Sequence, residues 1–270
     1  MRMNRLKLIL QYDGSDFLGW QIQREGRTVQ GELEGALKHL TGTKCPVEGS
    51  GRTDRGVHAT GQVAAVLMPE PWESSKLKKA LNAILPKDIW IKSINKVDID
   101  FSPRYDAVAR TYIYHLGVSE QSRSPFYRTR CWALANKVDN ILLNDSANLL
   151  VGEHSFRAFA KSGQPERGEL CIVYESRWEP WDDLGFLFRI TANRYLHHMV
   201  RYLVGTMVDI ARTRRPLDDL KNLLANSDKD LLTSKPAPPE GLFLHNVEYP
   251  TESSFKYDTS QPQNSETKII

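Results

Sequence analysis

Cysteine is scarce in this chain: Cys45, Cys131 and Cys171 are odd in number, widely separated and never part of a Cys-x-x-Cys pair. Such usage argues against a disulfide framework or a structural zinc site and for a reducing compartment. Long apolar runs are missing too, the longest being Val63 to Pro69, which is far too short to span a bilayer. Met1 to Arg5 leads straight into an alternating segment without an apolar signal core, so a cytoplasmic protein without membrane contact is expected. The dinucleotide glycine fingerprint and the Gly-Lys-Ser/Thr of a phosphate loop are absent, as is any internal repeat. His197 and His198 are adjacent; if both lie on a helix their side chains diverge by about 100° and do not chelate together, so no metal ligand is expected.

Charge of one sign is not in large excess, with 36 Lys and Arg against 33 Asp and Glu. The balance is uneven, however. Residues 101 to 130 hold Arg104, Arg110, Arg123, Arg128 and Arg130 against Asp106 and Glu120, with Tyr105, Tyr112, Tyr114, Phe126 and Tyr127 interleaved. Cations for phosphate beside aromatic faces for bases suit a nucleic-acid groove, while a solvated strand face is the plainer alternative.

Periodicity divides the chain into two runs of strands and helices. Leu6, Leu8, Leu10 and Tyr12 alternate as a half-buried strand closed by Asp13-Gly14, and Thr28 caps a helix whose apolar face is Val29, Leu33, Leu37 and Leu40. Strand 62–68, a helix over 74–85 ending before Pro86, and strand 89–94 follow. After Phe101-Ser102-Pro103 the pattern restarts with a strand that sets Tyr112 and Tyr114 on one face. A helix around 142–151, a hairpin over 171–179 and 186–192, and a strongly apolar helix over 195–212 come next. In that helix Arg201 sits off the apolar stripe, placed to reach a cleft from the edge. A short helix over 217–225 and a last strand over 242–247 complete the pattern, and the polar residues from Thr251 predict a flexible tail, 251–270. The fold class is α+β, with units 1–103 and 104–250.

Gly49-Ser50-Gly51-Arg52-Thr53-Asp54-Arg55-Gly56-Val57-His58 is the chemically unusual stretch. Its glycines allow sharp turns or close backbone approach around a single carboxylate between two arginines. Neighbouring cations favour an ionised carboxylate, available as nucleophile or base, although a surface Asp/Arg cluster in a glycine turn has the same local composition.

That stretch falls in order with Tyr12-Asp13-Gly14, Phe17, Gly19-Trp20-Gln21, Gln23, Thr28-Val29-Gln30, Leu81-Asn82, Leu85-Pro86, Arg110-Thr111-Tyr112-Ile113-Tyr114 and His197-His198-Met199-Val200-Arg201. From about Leu6 to Tyr249 the ordered set resembles the TruA family of tRNA pseudouridine synthases. The resemblance implies two ferredoxin-like units, of the RNA-recognition type, with antiparallel or mixed sheets joined around a central basic cleft. It also implies a homodimeric isomerase without metal or organic cofactor that acts on uridines 38, 39 and 40 of the tRNA anticodon arm.

Residue by residue, Asp54 matches the family's nucleophile, attacking ribose C1′ or uracil C6 or assisting glycal formation. Tyr112 matches the tyrosine that stacks on the target uracil and serves in proton loss from C5. Arg201 matches the basic partner of the aspartate, and Arg52 the residue that fills the space left by the flipped nucleotide. Arg52, Tyr112, Arg55, His58, Arg104 and Arg110 form the expected substrate-binding set, with Arg128 and Arg130 as further phosphate contacts. The chain departs from the family at Arg194-Tyr195, at Asp209-Ile210-Ala211-Arg212 and at Ser155, which bears on cleft shape and dimer packing. Two rivals are an RNA-binding module without chemistry and an N-glycosidic hydrolase; the hydrolase would need a second acidic group, and no paired carboxylates stand near Asp54.

Overall fold

Strand pairing runs without a break from one half of the chain to the other in the computed structural model, which describes residues 3–70, 72–161, 168–225 and 230–250. The first half comprises β1 (Met3–Tyr12), α1 (Val29–Thr41), β2 (Val47–Gly49), β3 (His58–Pro69), α2 (Ser74–Ile84) and β4 (Ile89–Val97). The second comprises β5 (Ala109–Gly117), β6 (Trp132–Ala133), α3 (Asn140–Asn148), β7 (Gly152–Ser155), β8 (Leu170–Trp181), β9 (Gly185–Ala192), α4 (Met199–Ala211), α5 (Asp218–Ala225) and β10 (Leu242–Glu248).

Local chemistry explains the element ends. The Thr28 side chain accepts the Gly31 N–H and starts α1, and Gly42, at φ 71°, ends it in the left-handed region that a side chain would strain. Helix α2 stops before Leu85, which is extended because Pro86 follows. Alternation in β1 buries Leu6, Leu8, Leu10 and Tyr12 against Leu33 and Leu37 of α1 and Leu77 and Leu81 of α2 in one apolar core. Truncating one such leucine to alanine costs roughly 2–5 kcal/mol.

The strands lie in the order β4-β1-β3-β10-β5-β9-β8-β7, with β2 on β3 and β6 on β5. In the first half β1-α1-β2-β3-α2-β4 gives the spatial order β4-β1-β3-β2, and in the second β5-α3-β8-β9-α4-β10 gives the equivalent order β10-β5-β9-β8. This is the βαββαβ arrangement twice. The expectation of two sheets meeting at a cleft is modified: a single mixed sheet runs through both halves. Its seam is β10, which pairs antiparallel with β5 and parallel with β3 at His58 and Ala59. Further along the same edge of β3, β2 pairs with Ala64 to Val66. Residues 50–57 leave the sheet where β3 changes partner.

Two boundaries differ from the sequence reading. Helix α4 begins at Met199, not near Tyr195, because His198 adopts φ 65° and breaks the helical run. The helix expected around 142–151 ends at Asn148 as α3, and Gly152 opens β7. The tail 251–270 lies outside the described residues.

Candidate active site

The loop carrying Asp54 is tied down almost residue by residue. Ser50 N–H donates to Val63 O at 2.8 Å, Ser50 Oγ to Gln62 Oε1 at 2.8 Å, and Gln62 Nε2 to Gly51 O at 2.9 Å. The Tyr12 and Thr53 hydroxyls share a buried 2.8 Å hydrogen bond, and Trp20 N–H donates to Thr53 O. Gly19 lies so close that a Cβ there would sit 2.6 Å from Thr53 O, and its φ of 109° disfavours a side chain independently. Each backbone polar group bonded in this way keeps the buried loop satisfied.

Opposite the loop stands the segment between β9 and α4. His197 Nε2 lies 3.4 Å from Asp54 Oδ1, His198 Nε2 3.2 Å from Oδ2, and Arg201 Nη1 3.6 Å from Oδ2. Arg201 is anchored from its other end: Nε donates to Ala237 O at 2.8 Å, and Ala237 N–H donates back to Arg201 O. Burial lowers the His198 pKa, with Asp54 opposing the shift.

These contacts correct the reading of the two histidines. Their rings do not diverge, because His198 is left-handed and both residues precede the helix; the centroids lie 4.1 Å apart and both face the carboxylate. One donor atom from each of Asp54, His197 and His198 falls within 4.8 Å of the others, a grouping able to hold a metal ion.

Tyr112 comes from β5. Its ring meets Tyr195 edge-on at 4.9 Å, and burial raises its phenol to about 12, with Arg110 pulling the other way. Tyr195 in turn donates its hydroxyl to Arg110 O and Ile190 O at 3.0 and 2.9 Å.

The expected substrate-binding residues separate into two groups. Arg52, Arg55 and Arg104 are exposed, and neither Arg52 nor Arg55 forms an ion pair with Asp54 among the described residues. The carboxylate's cationic neighbour, Arg201, therefore comes from the other half of the chain. Arg110 is spent on backbone: it donates to Ser50 O at 3.0 Å, Arg104 O at 2.8 Å and Asn193 O at 3.2 Å, so it ties the Asp54 loop to both flanking segments. His58, expected to meet substrate, is 1% exposed. It accepts the Gly14 N–H on Nδ1 at 3.0 Å and stacks on Phe243 of the seam. It is a residue of the fold, and so is Arg110. Arg128 and Arg130 are exposed, the latter 3.1 Å from Asp13.

Sequence reasoning missed Tyr12, Gln62, Tyr195 and Ala237 as supports, since their roles depend on contacts distant in the chain. Among the described residues no helix is long and apolar enough to cross a membrane.

Comparison with known proteins bears on the same residues. The family model described as tRNA pseudouridine synthase matches residues 8–106 and 146–250. Curated relatives named tRNA pseudouridine synthase A include one from Dictyoglomus thermophilum, 41% identical over 90% of this chain and 98% of its own length. Others come from Chlorobium limicola, 38% identical over 92% and 100%, and from a Geobacter species, strain M21, 35% identical over 92% and 100%.

Proposed function

The chain belongs to the tRNA pseudouridine synthase family, and from that membership we propose that it isomerises uridine to pseudouridine in the tRNA anticodon arm, at positions 38, 39 and 40. The observation that carries the reading is the pairing of Asp54, on the loop before β3, with Arg201 of α4 at 3.6 Å, which joins residues from the two halves of the chain.

In this reading the target nucleotide is flipped out of the stack, and Arg52, exposed beside Asp54, fills the vacated space. The Asp54 carboxylate engages an electron-poor carbon, ribose C1′ or uracil C6. Breaking N1–C1′ frees the base to turn, C5 then bonds to C1′, and the C5 proton is lost while N1 gains one. Atoms and electrons balance, so the net isomerisation consumes no co-reactant. Arg201 orients the carboxylate and offsets its charge while leaving it unprotonated. The Tyr112 ring offers a face to the extruded uracil, a contact worth roughly 1–3 kcal/mol per base. A phenol is protonated at neutral pH, and burial raises this one further, so Tyr112 takes the C5 proton only while releasing its own, as a relay.

Exposed Arg104, Arg128 and Arg130 supply phosphate contacts, and selection rests on RNA shape. The two units, 1–103 and 104–250, work as part of a cytoplasmic homodimer. Incubation with unmodified tRNA transcript followed by chemical mapping tests the whole reading. New pseudouridine at positions 38–40 from wild type but not from Asp54→Ala is expected. Free uracil would instead mark a hydrolase, and tight binding without product an RNA-binding module. Arg52→Ala is expected to lower turnover more than tRNA affinity.

A further inference from the structure

We propose that Asp54, His197 and His198 form a binding site for a borderline divalent transition-metal cation such as Zn²⁺, and that the bound ion blocks the carboxylate. The donor set carries the argument. Zinc bonds of about 2.0–2.2 Å at tetrahedral angles require donor atoms about 3.3–3.5 Å apart. His197 Nε2 to Asp54 Oδ1 is 3.4 Å and His198 Nε2 to Oδ2 is 3.2 Å, and one donor atom from each of the three residues lies within 4.8 Å of the others, so small side-chain rotations bring the set to the spacing the ion needs. Two imidazoles and one carboxylate suit zinc, copper, nickel or cobalt rather than magnesium or calcium, and they leave a position open to water.

The backbone holds this donor set together. The left-handed turn at His198 brings its ring alongside that of His197, and Lys161 N–H fixes the His197 carbonyl at 3.1 Å. On the carboxylate side, the Asp54 loop is pinned by the hydrogen bonds described above. One neighbour opposes a cation: the Arg201 guanidinium is 3.6 Å from Asp54 Oδ2. Like charges at that distance repel, which makes the site weaker than a closed structural zinc centre and its occupancy dependent on metal supply. An ion there occupies the oxygens that must reach the nucleotide. The blocking part of the proposal rests on Asp54 being the nucleophile; metal binding itself does not.

The test is a titration of metal-stripped full-length protein with Co²⁺, whose visible d–d absorption reports coordination directly. One saturable site with the band intensity of a four- or five-coordinate ion is expected, displaced by Zn²⁺. In His197→Ala, at an exposed position chosen to spare the fold, and in His198→Ala, affinity is expected to fall by at least about 10-fold. Pseudouridine formation by wild type should decline in step with Co²⁺ occupancy and return on chelation. Binding undiminished in both variants, or no saturation in wild type, overturns the site. Saturation with unchanged turnover overturns the blocking. A metal-free protein that gives the expected spectrum but never turns over would refute the functional reading, and the blocking with it, while the metal site stands.

Discussion

The two segments that face each other across the site are held from different parts of the chain. Residues 50–57 are fastened by hydrogen bonds from Tyr12, Trp20, Gln62 and Val63 and by the close approach of Gly19. Residues 193–201 are fastened about as densely but from within the second half: Asn193 and Ile172 exchange two hydrogen bonds, Arg110 donates to Asn193 O, Tyr195 donates to Ile190 O, Lys161 N–H donates to His197 O, and Arg201 and Ala237 exchange a further pair around the left-handed His198. The carboxylate thus stands on a glycine-rich loop of the first half, while the two imidazoles and the guanidinium that face it sit on the turn before α4 and on its first helical turn. In the proposed reaction this division lets one half of the chain hold the attacking carboxylate while the other half supplies the groups that orient it.

Among changes that leave the carboxylate in place, loosening the Asp54 loop should have the largest effect. In Gly19→Ala the new Cβ meets Thr53 O, so the Asp54 loop shifts; turnover is expected to fall by about 10²-fold, read as kcat on tRNA, with tRNA affinity nearly unchanged. Arg110→Ala removes the tie between the loop and Asn193, and a drop of roughly 2–3 kcal/mol in urea unfolding is expected, with kcat reduced more than KM is raised. A rise in KM alone would reassign Arg110 to phosphate contact. Tyr112→Phe retains the ring and loses the relay, for an expected rate loss of about 10–10²-fold; equal rates would remove the hydroxyl from the mechanism and leave the stacking.

A further effect, on stability alone, concerns the seam. His115 lies between Phe243 and Trp181, and burial lowers its pKa to about 4 from an ordinary 6.5. Because the folded state prefers the neutral ring, this contribution is fully present above pH 6.5 and is lost as pH falls from 6.5 towards 4. The whole loss is on the order of 3 kcal/mol and only part of it is reached by pH 5. His115→Phe, compared with wild type by urea unfolding at pH 7 and pH 5, should flatten that slope.

Much of this was legible in the chain. The alternation in β1, the Thr28 cap, the pre-proline stop at Leu85 and the apolar stripe of α4 are local patterns, and each appears as an element. The seam was not legible, since the pairing of β10 with β3 joins residues nearly two hundred apart in sequence with no local mark. The same distance hid Gln62 and Tyr12 as supports of the Asp54 loop. At His197-His198 a helical period continued across the pair, and only the positive φ of His198 overrides it, turning rings expected to diverge towards one carboxylate. His58 and Arg110 show the opposite failure: polar residues inside a chemical motif that the fold itself consumes.

The central claim, that Asp54 is a rigidly held nucleophile and not a structural ion-pair partner, is tested most directly by the single-turnover rate of Asp54→Asn on tRNA, measured beside its tRNA affinity and unfolding midpoint. The account predicts a rate at least about 10⁴-fold below wild type, with affinity and stability close to wild type. A rate within tenfold of wild type, or a rate loss matched by an equal loss of binding or fold, would contradict it.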